Sequence, residues 1–274
     1  MTTTAGTTAA DTTADTTDGQ AFAAEWAAWH AAREEELRAP HGWLSLTALH
    51  WLDEHATAFP QLPGTWRATG DGGVEISANG ELAVGGAPIR GTSRVEPVDG
   101  LPGVLVEAGE RRVEVIRRTD SYGLRVRDPQ APTRTAFAGV PAFPVDPRWV
   151  VRARFTPYPQ PKKITVGAVV DGLQHFPTAV GTVAFEIDGQ RQELIALAGR
   201  DGGLALHFRD ATSGVTTYGG GRIVQVGAPD ETGYVTVDFN RVVNLPCALT
   251  AYATCPLPPE ENRLTVAIEA GERS

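Results

Sequence analysis

From about residue 65 onward the chain is cut into short runs in which apolar and polar residues alternate, each ended by Gly, Asp or Pro. TWRATG, GVEISA, ELAVGG, GVLVEAG, RRVEVIRR and YGLRVRD occupy the first half of this region. KKITVGAVV, GTVAFEIDG, QELIALAG, GLALHFRD, VTTYGGGRIVQVG, GYVTVDFNR and a last run, RLTVAIEAG, occupy the second. A period of two sends successive side chains to opposite faces, so each run reads as a half-buried strand. Strands this short and this evenly spaced belong to sandwiches and barrels. Two turns can be named. ELAVGGAPI is a hairpin about Gly85-Gly86, and GTVAFEIDGQRQELIAL is a hairpin about Asp188-Gly189. Such pairs supply the positive φ angles that a two-residue connection requires.

Upstream the pattern changes. Residues 1–19 hold Thr, Ala, Asp and Gly with no larger aliphatic residue beyond Met1. Such a stretch cannot offset the entropy of ordering, and a disordered tail is expected. QAFAAEWAAWHAAREEELR, residues 20–38, spaces Phe22, Trp26, Trp29 and Leu37 as a helix does, and Pro40 ends it. HGWLSLTALHWLDE, residues 41–54, fits a second short helix or a strand followed by a turn. Four of the six tryptophans (Trp26, Trp29, Trp43, Trp51) lie in this part. They form either a lid packed on a sheet or an aromatic wall over a ligand. Further on, RDPQAPTRTAFAGVPAFPVDPRW holds five prolines and reads as a crossover strap.

The fold expected is therefore mainly β: an N-terminal helical segment, then sandwich- or barrel-like antiparallel structure, in two lobes or one continuous body. The expected divisions are a tail (1–19), a helical segment (20–56), an N-terminal β lobe (57–145) and a C-terminal β lobe (146–274).

A formal net charge of −9 argues against nucleic acid and anionic membrane surfaces as partners. No apolar run reaches the roughly 18–20 residues of a membrane span. The N-terminal residues have neither the basic nor the apolar region of a secretory signal. A cytoplasmic protein with reduced thiols is expected, with no cofactor; its oligomeric state is not legible.

Several catalytic signatures are missing. The chain has no GxSxG, no GxxxxGK[ST], no HExxH and no GxGxxG between a strand and a helix. The glycines at 219–221 read as a turn or bulge. The only cysteines, Cys247 and Cys255, have seven residues between them inside PCALTAYATCPLPP. That spacing is too wide for a zinc knuckle or a CxxC redox pair; a Cys/His metal site built across strands with His207 is the minor alternative, and no metal ligand is assigned. Pro246, Pro256, Pro258 and Pro259 make the stretch a stiff strap rather than a central strand. Cys247 is expected as a pocket wall, or as a nucleophile with His207 as its base.

Polar residues crowd around this strap. Asp210, Arg222, Asp238, Asn240, Arg241, Asn244, Asn262, Glu269 and Glu272 lie near the ends of runs. They can pair the backbone of a proline-rich strap, or they can line a pocket. In the pocket reading Asp238 or Glu269 is the base, and Arg222 and Arg241 clamp an anion. Asn240, Asn244, Asn262 and Glu272 then orient the ligand.

DATSGVTTYGGGR followed by DFNRVVNLPCALTAYATCPLPPEENRLTVAIEAGE resembles the signature of the bacterial and archaeal domain-of-unknown-function family 1684. HGWLSLTALHWL and FPVDPRWVVRARF fit the same pattern, so the resemblance covers about residues 25–272. Besides the nine residues just named, the family motif falls on Thr212, Ser213, Gly214, Tyr218, Cys247, Cys255, Pro256 and Gly271. The family more often has Tyr and Pro where this chain has Val243 and Leu245. The resemblance implies no particular activity. Two expectations stand together: a protein that binds a small polar or anionic molecule in its C-terminal lobe, with hydrolase- or lyase-type acid–base chemistry, or a non-catalytic binding or interaction module whose polar cluster is scaffold.

Overall fold

In the computed structural model the chain is described from residue 11, and its side chains from residue 19. The expected tail thus lies, through residue 18, outside the described side chains. Helix α1 (Asp11–Leu37) leads through a single 3-10 turn at Trp43–Ser45 into the first sheet. That sheet contains β1 (Leu46–Leu52), β2 (Thr65–Ala68), β3 (Val74–Val84), β4 (Ala87–Val95), β5 (Val104–Ala108), β6 (Arg111–Arg118) and β7 (Ser121–Arg127). Its spatial order is β1-β7-β6-β5-β3-β2, with β4 also on β3, and every pair is antiparallel. The segment expected to be helical to residue 56 is helix only to Leu37; residues 46–52 are the strand alternative, paired along β7.

A linking stretch with a short helix, α2 (Pro132–Thr135), crosses to the second half. There lie β8 (Val150–Lys163), β9 (Val166–Gly167), β10 (Gln174–His175), β11 (Thr178–Ile187), β12 (Gln190–Ala198), β13 (Leu204–Phe208), β14 (Arg222–Val226), β15 (Tyr234–Asp238) and β16 (Val243–Asn244). The second sheet runs β15-β8-β11-β12-β13-β14-β16, and β9 with β10 form a separate ribbon. The fold is thus mainly β, with an N-terminal helix and two curled antiparallel sheets. Each sheet has its own core. Trp66, Ile76, Leu82, Val106, Val115 and Leu124 fill the first, and Val183, Leu206, Phe208, Val237, Phe239 and Ile268 fill the second.

Both named hairpins form. Gly85 and Gly86 have φ of 57° and 81°, and Asp188 and Gly189 have 50° and 71°. Two positive φ angles in succession match the right-handed twist of the flanking strands. The final run differs from its expectation. Leu264, Val266, Ile268 and Ala270 are buried in strict alternation, but the segment joins no sheet as a strand. It lies as an extended strap across the second sheet, held by other means.

Candidate functional site

The strap is held by the polar residues that the sequence singled out. Arg222 opens β14 and is 1% exposed. One of its terminal nitrogens donates to the carbonyls of Ala270 (2.6 Å) and Glu272 (3.0 Å). The other donates to the carbonyl of Ile268 (2.8 Å) and to Asp210 Oδ2 (2.9 Å). The guanidinium thus takes the place of a neighbouring strand, bonding every second carbonyl of the strap. Burial pulls its pKa down, and Asp210 works against that.

The amides do similar work. Asn262 accepts from Ile195 N at 2.7 Å and donates to the carbonyls of Ile195 (2.9 Å) and His207 (2.8 Å). Strands β12 and β13 pair only at Leu197–Ala205 and Ala198–Leu204, so Asn262 spans the gap where they separate. Asn240 exchanges two 3.0 Å hydrogen bonds with the backbone of Asp146. Its own carbonyl accepts the indole N–H of Trp26 at 2.7 Å. Asn244 donates to the carbonyl of Arg273 (2.9 Å), while its backbone N–H donates to Glu272 Oε2 (2.6 Å). Glu272 is buried and its other oxygen meets Arg33 of α1 at 3.3 Å. Burial raises the Glu272 carboxyl, and Arg33 opposes the rise.

The remaining members are not assembled into a clamp with a base. Asp238 accepts from Asn240 N (3.0 Å) and Asn240 Nδ2 (2.9 Å), which caps the 3-10 turn at 239–241. Arg241 is partly exposed, pairs with Asp238 (3.2 Å) and Glu25 (2.5 Å), and lies over the Trp29 ring. Glu269 points to solvent on the outer face of the strap. Arg222 and Arg241 therefore do not converge: one is spent on carbonyls, the other on α1. Arg222, Asn240, Asn244 and Asn262 are bonded to backbone, while Arg241 pairs with carboxylate side chains.

The two cysteines do meet, although their spacing suggested otherwise. The backbone N–H of Cys247 lies 3.3 Å from Cys255 Sγ. The Cys255 thiol and the Tyr218 hydroxyl stand close enough to Cys247 to shift its ionisation. Contact with Cys255 pulls Cys247 down to about 7, and burial pushes Tyr218 up to about 12. Cys255 is pushed up, first by its bond to Cys247 and then by burial.

A second group of charges sits on the first sheet, away from the residues singled out above. On β6 and β7, the face opposite the first core carries Glu114, Arg118, Arg125 and Arg127, all buried. Arg125 is 2% exposed; it donates to Thr254 Oγ1 at 2.7 Å and lies 3.6 Å from Glu114. Its Nε has no partner. Arg127 donates to Glu114 Oε2 (2.6 Å) and to the carbonyls of His41 and Gly42 (2.9 Å each). Arg118 reaches the carbonyls of Arg117 (2.6 Å) and Leu101 (3.3 Å). The Trp43 ring lies 5.3 Å from both the Arg125 and the Arg127 guanidinium.

These residues floor a cavity of about 740 Å³. Its rim is the end of α1, Trp43, and Leu101, Pro102 and Leu105. Burial alone would raise the Glu114 carboxyl, but Arg127 and Arg125 hold it below the ordinary value. Burial lowers both Arg118 and Arg125, and for Arg125 the neighbouring guanidiniums add to the effect. Three buried cations thus face one buried anion. A second cavity of about 730 Å³, bordered by Lys162, Arg209, Arg263, Glu260 and Glu261, mixes both signs at its mouth. Among the described residues no three His, Cys, Asp or Glu gather as a metal site, and no helix is long and apolar enough to cross a membrane.

The arginine floor escaped the sequence reading because RRVEVIRR and YGLRVRD look like strands with one wet face. The arrival of the end of α1, Trp43, the 100–103 loop and Thr254 from elsewhere in the chain covers that face. A signal was present in Arg125 and Arg127 at alternate positions of β7, the first opposite Glu114 on β6.

A family model described as "Protein of unknown function (DUF1684)" matches residues 135–273. A solved structure, that of an uncharacterized protein from Haloarcula marismortui, is 33% identical, covering 52% of this chain and 79% of its own, with a TM-score of 0.43. No curated protein matches the chain.

Proposed function

The chain belongs to the DUF1684 family, and on that premise we propose that it binds a small anionic molecule in the arginine-floored cavity beside Trp43. The observation that carries this reading is the charge imbalance: three buried guanidiniums, one buried carboxylate, and an unpartnered Nε on the most buried of the three. Buried cations held at a desolvation cost gain most from an anion that brings its own acceptors. A carboxylate or phosphate on Arg118 and Arg125 would supply the missing charge, and the apolar rim of Leu101, Pro102 and Leu105 suits a hydrocarbon portion.

The role is binding rather than acid–base catalysis. Glu114, the one buried carboxylate at this cavity, is engaged by Arg127, and Glu36 is exposed at its rim. Asp238 and Glu269 do not border it. The test is thermal unfolding of the wild type and of Arg118→Met with inorganic phosphate, citrate and octanoate, at constant ionic strength. A saturating ligand at about 100 times its dissociation constant adds about 2.7 kcal/mol, a rise of several degrees. The rise is expected for wild type with at least one probe and is lost in Arg118→Met. Equal rises in both proteins, or none in either, would refute the proposal.

A further inference from the structure

The dithiol at Cys247 and Cys255 lies beside the arginine cavity, next to Thr254 and Trp43, and has chemistry of its own. Cys247 lies in the single 3-10 turn Pro246–Ala248 and is half-buried. That turn is fixed by hydrogen bonds from the N–H groups of Leu249 and Thr250 to the carbonyl of Pro246. The chain then doubles back. Thr254 and Cys255 are anchored from the other side: His175 Nε2 meets the Thr254 carbonyl at 2.6 Å, and Val169 N donates to the Cys255 carbonyl at 3.0 Å. The result is a closed loop with one sulfur at each end, brought together by folding rather than by short spacing. Cys255 is packed among Leu245 and Ala253, with Trp43, Val169 and Ile223 against them. Both thiols are free.

We infer that Cys247 and Cys255 form a peroxide-reactive dithiol, closing to a disulfide when oxidised and reopening when reduced. Three features support it. Cys255 Sγ already lies 3.3 Å from the backbone N–H of Cys247, and both residues pack in one apolar cluster, so little backbone movement is needed to bring the sulfurs to bonding distance. The pair is asymmetric: one thiol is half-exposed and the other buried, as an attacking and a resolving sulfur should be. The Tyr218 hydroxyl acts on Cys247 in the direction that favours its thiolate. With Cys247 near 7 and Cys255 pushed up, the first ionises in the neutral range while the second keeps its proton.

The reaction balances as follows. The Cys247 thiolate attacks the distal oxygen of a hydroperoxide, the O–O bond breaks, and the departing alkoxide or hydroxide takes a proton from solvent to leave as alcohol or water. Cys247 is then a sulfenic acid. Cys255 sulfur attacks the sulfenic sulfur, the S–O bond breaks, and the hydroxide leaves with the Cys255 proton as water. Two thiols have lost two electrons and the peroxide has gained them; an external dithiol reverses the change.

The experiment treats the reduced full chain with one equivalent of hydrogen peroxide, blocks remaining thiols with iodoacetamide and reads intact mass. The expected product has lost both alkylation sites together and weighs two hydrogens less, and dithiothreitol restores both sites. Cys255→Ser is expected to stop at a Cys247 sulfenic acid that dimedone traps. Tyr218→Phe is expected to slow Cys247 alkylation at pH 7 by several-fold and move its pH profile upward. The inference is overturned if wild type passes to sulfinic acid with no intramolecular disulfide, if only intermolecular disulfides appear on a non-reducing gel, or if both cysteines survive. Should the variants fail to fold, the wild-type masses decide.

Discussion

Replacing Arg222 by Met separates scaffold from site. Methionine keeps the unbranched stem and deletes the guanidinium, so packing is nearly preserved while four hydrogen bonds vanish. Three of the orphaned acceptors are carbonyls of the strap and the fourth is Asp210, itself buried. Breaking a buried ion pair from one side costs about 3–5 kcal/mol, because the partner charge stays behind in a poor solvent. The near-complete burial of both side chains leaves no solvent screening to reduce that figure. Arg222→Met should therefore lose about 3–5 kcal/mol in urea unfolding followed by tryptophan fluorescence. Adding Asp210→Asn should recover about 1–2 kcal/mol, since the amide removes the stranded charge and still offers an oxygen to Thr212 N. Arg222→Lys should fall between, for one ammonium cannot reach four acceptors spread across a fork. Anion binding at the cavity, measured on the folded fraction, should be unchanged. A loss under about 1 kcal/mol in Arg222→Met, or no recovery in the double variant, would refute the account of the guanidinium as a surrogate strand.

His207 and Gly271 give two more tests. His207 is 1% exposed, its Nε2 has no partner, and burial with the nearby Arg209 charge depresses it to about 3 against an ordinary 6.5. Above pH 6.5 neither state is protonated there; below it the unfolded chain takes up the proton and the folded one does not. Stability is thus full at neutral pH and falls as pH drops toward 3, by about 3–5 kcal/mol in all. His207→Leu should flatten the pH dependence of the urea midpoint between pH 7 and 4; an unchanged slope would contradict the reading. Gly271 has φ of 72°, and an added Cβ would lie 2.4 Å from the carbonyl oxygen of Val242. Gly271→Ala should cost about 2 kcal/mol or more by the same urea assay, from left-handed strain plus the clash.

What the sequence made legible depended on how local the cause was. Gly85-Gly86 and Asp188-Gly189 specify their hairpins within two residues, so both were readable. RLTVAIEAG shows where local reading stops. Its alternation correctly buries Leu264, Val266, Ile268 and Ala270, because alternation records which side faces the core. It does not record what satisfies the backbone: here the first part of the run bonds the backbone of Arg209 and Ala211, and the carbonyls of residues 268, 270 and 272 bond one guanidinium 46 to 50 residues upstream. Asn262 and Asn240 follow the same rule: an amide carries one donor and one acceptor group in nearly the geometry of a peptide, so it can complete a broken ladder wherever folding delivers it. Residue type announced that these positions would be paired, and the partner was set by topology. The arginine floor inverts the case. Arg125 and Arg127 alternate with Leu124 and Val126 as any surface strand would, and 42% hydrophobic content gives no hint that the polar face is covered as well. A face becomes a pocket when a distant segment lands on it, and Trp43, 82 residues before Arg125, is that segment. The dithiol combines both lessons. Seven intervening residues excluded a knuckle or a CxxC turn, yet the loop anchored by Pro246 at one end and by His175 and Val169 at the other returns the second sulfur to the backbone of Cys247. Spacing limits which local motifs are available; anchoring decides which side chains meet.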